Sequence, residues 1–295
     1  MLRYSILIVF FVRSCYLFCQ TSYPQSDLLL FKWAIKSDSC SLEFIQSFIP
    51  NDSNAYINQP FFASDSIVYF NMLQKEHNTT EIFTYNVNNS QSLQSTFTPK
   101  ISEFSPQIQP DARHFSVVRI EEDGKTQTLW SYPIGKMDKG KRLATWISNM
   151  GYYVWLDENE ILAFLVDSVH QLKRIDLKNE AEHLITLNPG RTLKKINSNL
   201  FIFLDKSIQG TYILNTYNKS SGRVNKIIEW PFPTEDFDIL DEKYIIASSK
   251  NKLFVYSLNK KEKWTEIVDI ERLGYKTISR ISSHPSGKLI LVTHK

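Results

Sequence analysis

Cysteine is scarce in this sequence: of three, Cys15 and Cys19 fall in the first nineteen residues and only Cys40 follows. Once that first segment is removed, no intramolecular disulfide and no cysteine metal site can form, so the fold must stand on packing. A surplus of one charge is lacking as well. Two of the 34 basic residues, Arg3 and Arg13, leave with the N-terminal segment, and 31 acidic residues all but balance the rest. That balance argues against a nucleic-acid or polyanion partner. Helical periodicity is nearly absent, which leaves strands as the building element. The six histidines, His77, His114, His170, His183, His284 and His294, stand singly, with no His-x-x-x-His or His-Glu pair at metal-ligand spacing. No Gly-x-Ser-x-Gly elbow occurs, and no stretch after the last repeat could hold an α/β-hydrolase sheet, so a peptidase activity is not expected.

The N-terminus differs from the rest. Met1-Leu2-Arg3 is cationic, Ser5 to Val12 is apolar, and a mixed stretch to Cys19 precedes polar Gln20-Thr21-Ser22. Residues 1–19 are predicted to be a signal peptide and 20–295 the exported domain, periplasmic or secreted. An uncleaved anchor is the alternative, but Arg13 interrupts an apolar run far short of the about 20 residues that a span needs. Lipidation at Cys19 is a second alternative, weakened by bulky Phe18 where a small residue is expected; Cys15 follows Ser14 but has Arg13 close by.

From Tyr56 onward, short runs rich in Val, Ile, Phe, Tyr and Trp are broken by polar clusters every eight to twelve residues or so, the pattern of an all-β chain. Prolines fall between the runs, where a missing amide hydrogen does no harm. One unit recurs: a short apolar strand, an acidic or polar turn, a strongly hydrophobic strand, a hairpin and a strand with aromatic residues. Taking Asp65, Asp111, Asp157, Asn197, Asp241 and Ser286 as equivalent turn positions, subtraction gives steps of 46, 46, 40, 44 and 45 residues. Units of about 40 to 50 residues are propeller blades. The sixth unit ends at Lys295 after its second strand, while Leu28–Trp33 and Leu42–Ile45 have the look of third and fourth strands. The expected fold is therefore an all-β, six-bladed β-propeller of four-stranded antiparallel blades, its last blade closed by the N-terminal strands, which leaves no open edge.

At these turns the sequence resembles the WD40-like propeller repeat family, of the type in the six-bladed domain of periplasmic TolB, whose turn reads roughly Ser-Pro-Asp-Gly. The resemblance covers about Ser26 to Lys295. Glu103-Phe104-Ser105-Pro106, Phe115 to Glu121, Gly151 to Asp157 and Ile278-Ser279-Arg280 also look like a group of exported Bacteroidota proteins of mostly unknown function. This chain keeps Gly287 but carries Ser66, Ala112, Glu158 and Glu242 where the family's turn glycine is expected, which puts the turn conformation in question.

Acidic clusters such as Glu121-Glu122-Asp123, Asp157-Glu158-Asn159-Glu160 and Glu235-Asp236 invite a calcium or glycosidase reading. The first two sit in a hairpin and in the repeat turn, where carboxylates cap backbone amides, and are better read as solvated turns. Asn51-Asp52-Ser53, Asn78-Thr79-Thr80, Asn88-Asn89-Ser90 and Asn218-Lys219-Ser220 match the N-glycosylation pattern, which an asparagine-rich chain generates by chance. A propeller offers a site without any motif, because the innermost strand of every blade reaches the mouth of the central channel. Six residues back from each turn position stand Gln59, Ser105, Gly151, Arg191, Glu235 and Arg280, with Asn58, Glu103, Tyr152 and Asp236 beside them. Gln59, Ser105, Tyr152, Arg191, Glu235 and Arg280 are the candidate ligand-binding ring, suited to a peptide end, a carboxylate or a sugar. The alternative is that these side chains only neutralise one another over trapped water. No catalytic residue, metal ligand or cofactor is assigned. The expected role is a monomeric, non-enzymatic module of the cell envelope that binds a protein or small ligand, with a propeller hydrolase or lyase as the alternative.

Overall fold

The apolar runs become strands in the computed structural model, which describes residues 24–36, 39–48, 56–74, 76, 78–260 and 263–295. The predicted signal peptide with Cys15 and Cys19, His77, and the Asn51-Asp52-Ser53 sequon lie outside the described residues. Strands β1 (Asp27–Lys36) and β2 (Ser39–Phe48) come first. Blade 1 is β3 (Ile57–Phe62), β4 (Ile67–Gln74), β5 (Thr79–Asn86) and β6 (Gln91–Gln94). Blade 2 is β7 (Ser102–Ile108), β8 (His114–Ile120), β9 (Gln127–Pro133) and β10 (Lys141–Leu143). Blade 3 is β11 (Met150–Trp155), β12 (Glu160–Leu165), β13 (Gln171–Asp176) and β14 (Ala181–Leu187). Blade 4 is β15 (Pro189–Lys195), β16 (Leu200–Asp205), β17 (Ile213–Asn218) and β18 (Val224–Glu229). Blade 5 is β19 (Phe237–Leu240), β20 (Tyr244–Ser249), β21 (Lys252–Ser257) and β22 (Thr265–Asp269).

Blade 6 has β23 (Thr277–His284) innermost and β24 (Lys288–His294) next, and β1 and β2 complete it in the order β2-β1-β24-β23. The two ends of the chain thus share one sheet, with Leu28 opposite Val292 and Phe31 opposite Leu289. This closure is the expected one. Each of the other sheets also has four antiparallel strands, and among the described residues no helix is long and apolar enough to cross a membrane.

Burial explains the repeat pattern. The second strand of each blade is covered on both faces by neighbouring blades, so β8, β12, β16 and β24 are buried almost throughout and read as unbroken apolar runs. The outermost strands face water on both sides; β14 is exposed or half-buried at every position. Six apolar clusters fill the six seams between blades.

In blades 2 to 4 the turn after the innermost strand carries the recurrent polar residue as a cap, whereas in blade 5 Asp241 pairs with Lys243 and in blade 6 the Ser286 amide donates to His284 Nδ1. Asp111 Oδ1 accepts from the amides of Arg113 and His114, Asp157 Oδ1 from Asn159 and Glu160, and Asn197 Oδ1 from Asn199 and Leu200. In blade 1 the cap is Ser64 Oγ, which accepts from the amides of Ser66 and Ile67, so the equivalent position there is Ser64 rather than Asp65. Two of the positions where the turn lacks glycine have a positive φ all the same: Ala112 and Glu242 both have φ of 54°.

Candidate functional site

The innermost strands do not run straight to the mouth of the channel. Five of the six break register there, between Asn58 and Phe61, Phe104 and Gln107, Met150 and Tyr152, Pro189 and Leu193, and Ile278 and Arg280. A bulge re-aims the side chain beside it, and here it turns side chains toward the axis. Gln59 and Ser105, each followed by proline, take φ of 50° and 54° to do so. The result is a cavity of ≈ 110 Å³ to which each blade contributes: Gln59, Ser105, Tyr152, Arg191, Asp236 and Arg280 line it.

Five of the six residues in the expected ring therefore meet at this mouth. Glu235 is the exception. It stands behind the lining, where its Oε2 accepts from the Arg191 amide at 2.8 Å and its Oε1 takes the Lys206 ammonium. Asp236 lines the mouth in its place: the count back from the turn lands one residue early in blade 5, as it does in blade 3, where it falls on Gly151 and Tyr152 lines the mouth. A one-residue slip turns a side chain to the other face. Of the neighbouring positions, Asn58 is buried and its Oδ1 accepts from the Gln59 amide at 2.8 Å. Glu103 is in a blade seam and away from the axis, as described below.

Charge at the mouth centres on Asp236, which is 4% exposed. Arg280 Nη1 donates to both of its oxygens, at 3.0 and 3.1 Å, and Arg191 Nη2 donates to Oδ2. Burial works against the charge of Arg191, but Asp236 outweighs it and holds the guanidinium above its ordinary pKa. Arg191 Nε is buried without a hydrogen-bond partner. On the blade 2 side the Ser105 amide donates to Gln59 Oε1 at 2.7 Å, and the Tyr153 hydroxyl donates to Ser116 Oγ at 2.8 Å with the Ser105 carbonyl 3.1 Å away. These cross-blade bonds fix the lining.

The channel continues past Phe61, Gln107, Leu193 and Lys194 to a second, wider mouth of ≈ 360 Å³ at the opposite end of the inner strands. There Lys194 Nζ donates to Asp238 Oδ2 at 2.8 Å, and the Ser283 amide donates to the same oxygen at 2.8 Å. Lys194 and Lys206 were not among the expected site residues. Lys194 follows Arg191 on one innermost strand, so position alone could have nominated it; Lys206 lies in the β16–β17 loop, and nothing in the sequence ties it to Glu235.

Away from the channel, the seam between blades 1 and 2 buries charge. Glu103, fully buried, accepts from Arg119 Nε at 2.9 Å and from the Tyr132 hydroxyl, while its other oxygen has no partner. Glu81, 1% exposed, accepts from Thr96 Oγ1 at 2.8 Å and from the Thr98 amide. Burial, with the nearby Glu103 charge, pushes Glu81 up to about 7, while hydrogen bonds oppose the rise. Of the two acidic clusters read as solvated turns, the hairpin one is solvated, while in the repeat turn Asp157 pairs with Lys219 and Glu160 with Arg174. Asp123 Oδ1 accepts from the Lys125 and Thr126 amides, and with the Thr126 hydroxyl on Oδ2 these bonds lower its pKa to about 2. Among the described residues no three His, Cys, Asp or Glu side chains gather as metal ligands, and no histidine lines the mouth.

No protein-family model and no curated protein matches the sequence. Solved structures do. The chain is similar to one in a nidogen/laminin complex, at 10% identity and a TM-score of 0.61, over 87% of this chain and 97% of that one. It is similar to TolB from Acinetobacter baumannii, at 11% identity and a TM-score of 0.59, over 92% of this chain and 64% of that one. An oligogalacturonate lyase from Vibrio parahaemolyticus is a third, at 10% identity and a TM-score of 0.53, over 91% and 98%. At such identities the likeness shows the fold, a TolB-like six-bladed propeller, and the fold hosts both binding proteins and enzymes.

Proposed function

We propose that this chain is a non-enzymatic binding module, exported to the cell envelope or beyond, that takes a protein or small ligand at the mouth lined by Arg191 and Arg280. The observation that carries the reading is the convergence of one side chain from each blade on a single concave site. The one carboxylate in that lining, Asp236, has both oxygens occupied by guanidinium groups, so it is committed to holding the arginines in place. Proton-transfer chemistry needs a base within reach of substrate, and this arrangement favours recognition over turnover. Export rests on the N-terminal segment, and a monomer on a ring already closed by its own termini.

The test pairs binding with turnover. Purified protein and its Arg280→Ala variant are titrated with oligogalacturonate and with short peptides by calorimetry, and the same mixtures are followed for product by mass spectrometry. Saturable binding that the variant loses, with no product formed, is the expected result. Product that forms with the unaltered protein and disappears in Arg280→Ala would replace the binding module with an enzyme.

A further inference from the structure

The charges around the mouth are unequal. Among the residues that line it, Arg191, Lys194 and Arg280 are cations and Asp236 is the one carboxylate. Lys206 is matched by Glu235 and Lys194 by Asp238, so the excess falls on the two arginines that share Asp236. A guanidinium pair with one positive charge in excess, partly desolvated, is a receptor for one more carboxylate. The cavity, at ≈ 110 Å³, is the size of a few water molecules, which is room for one carboxylate group.

The rim of blades 3 and 4 at the same end carries exposed aliphatic side chains among its polar ones. The β12–β13 loop carries Val166 and Val169, the β16–β17 loop Ile208, and the end of β14 Leu187, all exposed. Strand pairing puts these loops at the end of the blades where β11 and β15 begin, because Leu165 lies opposite Met150 and Asp205 opposite Pro189. That is the end carrying Tyr152 and Arg191. Val166 packs so close to Gly151 that a Cβ there would lie 3.0 Å from its Cγ2, and the loop bearing Ile208 is tied to the mouth through Lys206 and Glu235. Scattered exposed aliphatic residues need no explanation, but these four share one end of two adjacent blades with the cationic mouth.

We infer that the mouth binds the free C-terminus of a peptide or protein whose last residues are aliphatic, its α-carboxylate on Arg191 and Arg280 and its side chains on the rim of blades 3 and 4. This rests on the reading of the mouth as a binding site and narrows it to one ligand class. A sugar acid would supply the carboxylate but not the apolar contact.

The experiment is a peptide library anchored through its N-termini, varied at the last two positions, with every sequence made as free acid and as amide. Free acids ending in Val, Ile or Leu should bind, and amidation should weaken them about tenfold or more, the cost of a charge-assisted hydrogen-bond pair. Arg280→Gln should abolish the difference between acid and amide. Ile208→Asp, at an exposed position that leaves the fold intact, should remove the preference for aliphatic ends while acids still exceed amides. Equal binding of acids and amides, no bound sequence anywhere in the library, or galacturonate binding as tightly as the best peptide would each overturn the inference. Equal binding that is still lost in Arg280→Gln would leave the binding-module reading intact; only turnover at the mouth removes that.

Discussion

Two joints of the ring solve the same packing problem with different chemistry. The seam between blades 5 and 6 is built from fifteen buried apolar residues, among them Leu29, Phe31, Leu253 and Leu289. The seam between blades 1 and 2 has five, Tyr69, Ile82, Phe115, Val117 and Tyr132, and fills the remaining space with Glu103, Arg119 and Glu81. Arg119 is sandwiched there, 2.9 Å from Glu103 and with its guanidinium 3.7 Å above the Trp130 ring. An apolar joint gains stability in proportion to area and ignores pH. A charged one is held only while every partner is present, because each buried ion costs several kcal/mol of desolvation that its neighbours must offset. Blade 6, which joins the two ends of the chain, thus packs on blade 5 through a joint that depends on no single partner.

Breaking the apolar joint should have the largest effect. Without β1 and β2, β24 becomes an open edge and Leu289 and Leu291 lose their cover. The shortened chain is expected to lose its cooperative thermal transition and to elute as aggregate on size-exclusion chromatography. Melting like the intact chain would show that closure is not what holds the ring.

Next is Arg119→Ala, which strands Glu103 in the seam and should cost about 3–5 kcal/mol in urea unfolding. Converting this joint to the chemistry of the other, with Glu103→Leu, Arg119→Met and Tyr132→Phe together, should recover most of that loss. A triple variant as unstable as Arg119→Ala would mean that the ion pair contributes more than its desolvation costs.

The smallest effect is a dependence on pH that the charged joint confers. Glu81 takes up a proton more readily when folded, with its pKa pushed from 4.5 to about 7 by burial and by Glu103. The folded chain then binds more protons than the unfolded one between these values, so stability is highest at the acid end of the window and falls as pH rises through it. Thermal unfolding followed from about pH 4 to about pH 8 should show that decline, and Glu81→Gln should flatten it. An unchanged slope in Glu81→Gln would assign the decline to another group.

Much of this architecture was legible before any coordinates. The unbroken apolar runs at β8, β12, β16 and β24 mark strands covered on both faces. The polar turns fix the period, and the half blades at either end announce their own pairing. Position relative to the turn also found Gln59, Ser105, Arg191 and Arg280, with Tyr152 and Asp236 one residue beyond the counted position. It failed at Glu235, one residue short of the lining, and for Glu103, named beside the ring but buried in a seam.

The sequence by itself determined the strands, the six-fold repeat and the closed ring, since each follows from alternation, burial and turn chemistry within one unit of some 45 residues. Only the tertiary structure decided which charges meet. Arg191 and Arg280 reach Asp236 from 45 and 44 positions away, and Lys206 reaches Glu235 from 29. No local pattern encodes such a pairing. The energy of a partly buried charge is set by what surrounds it in space, and for this protein those surroundings exist only after the blades have packed.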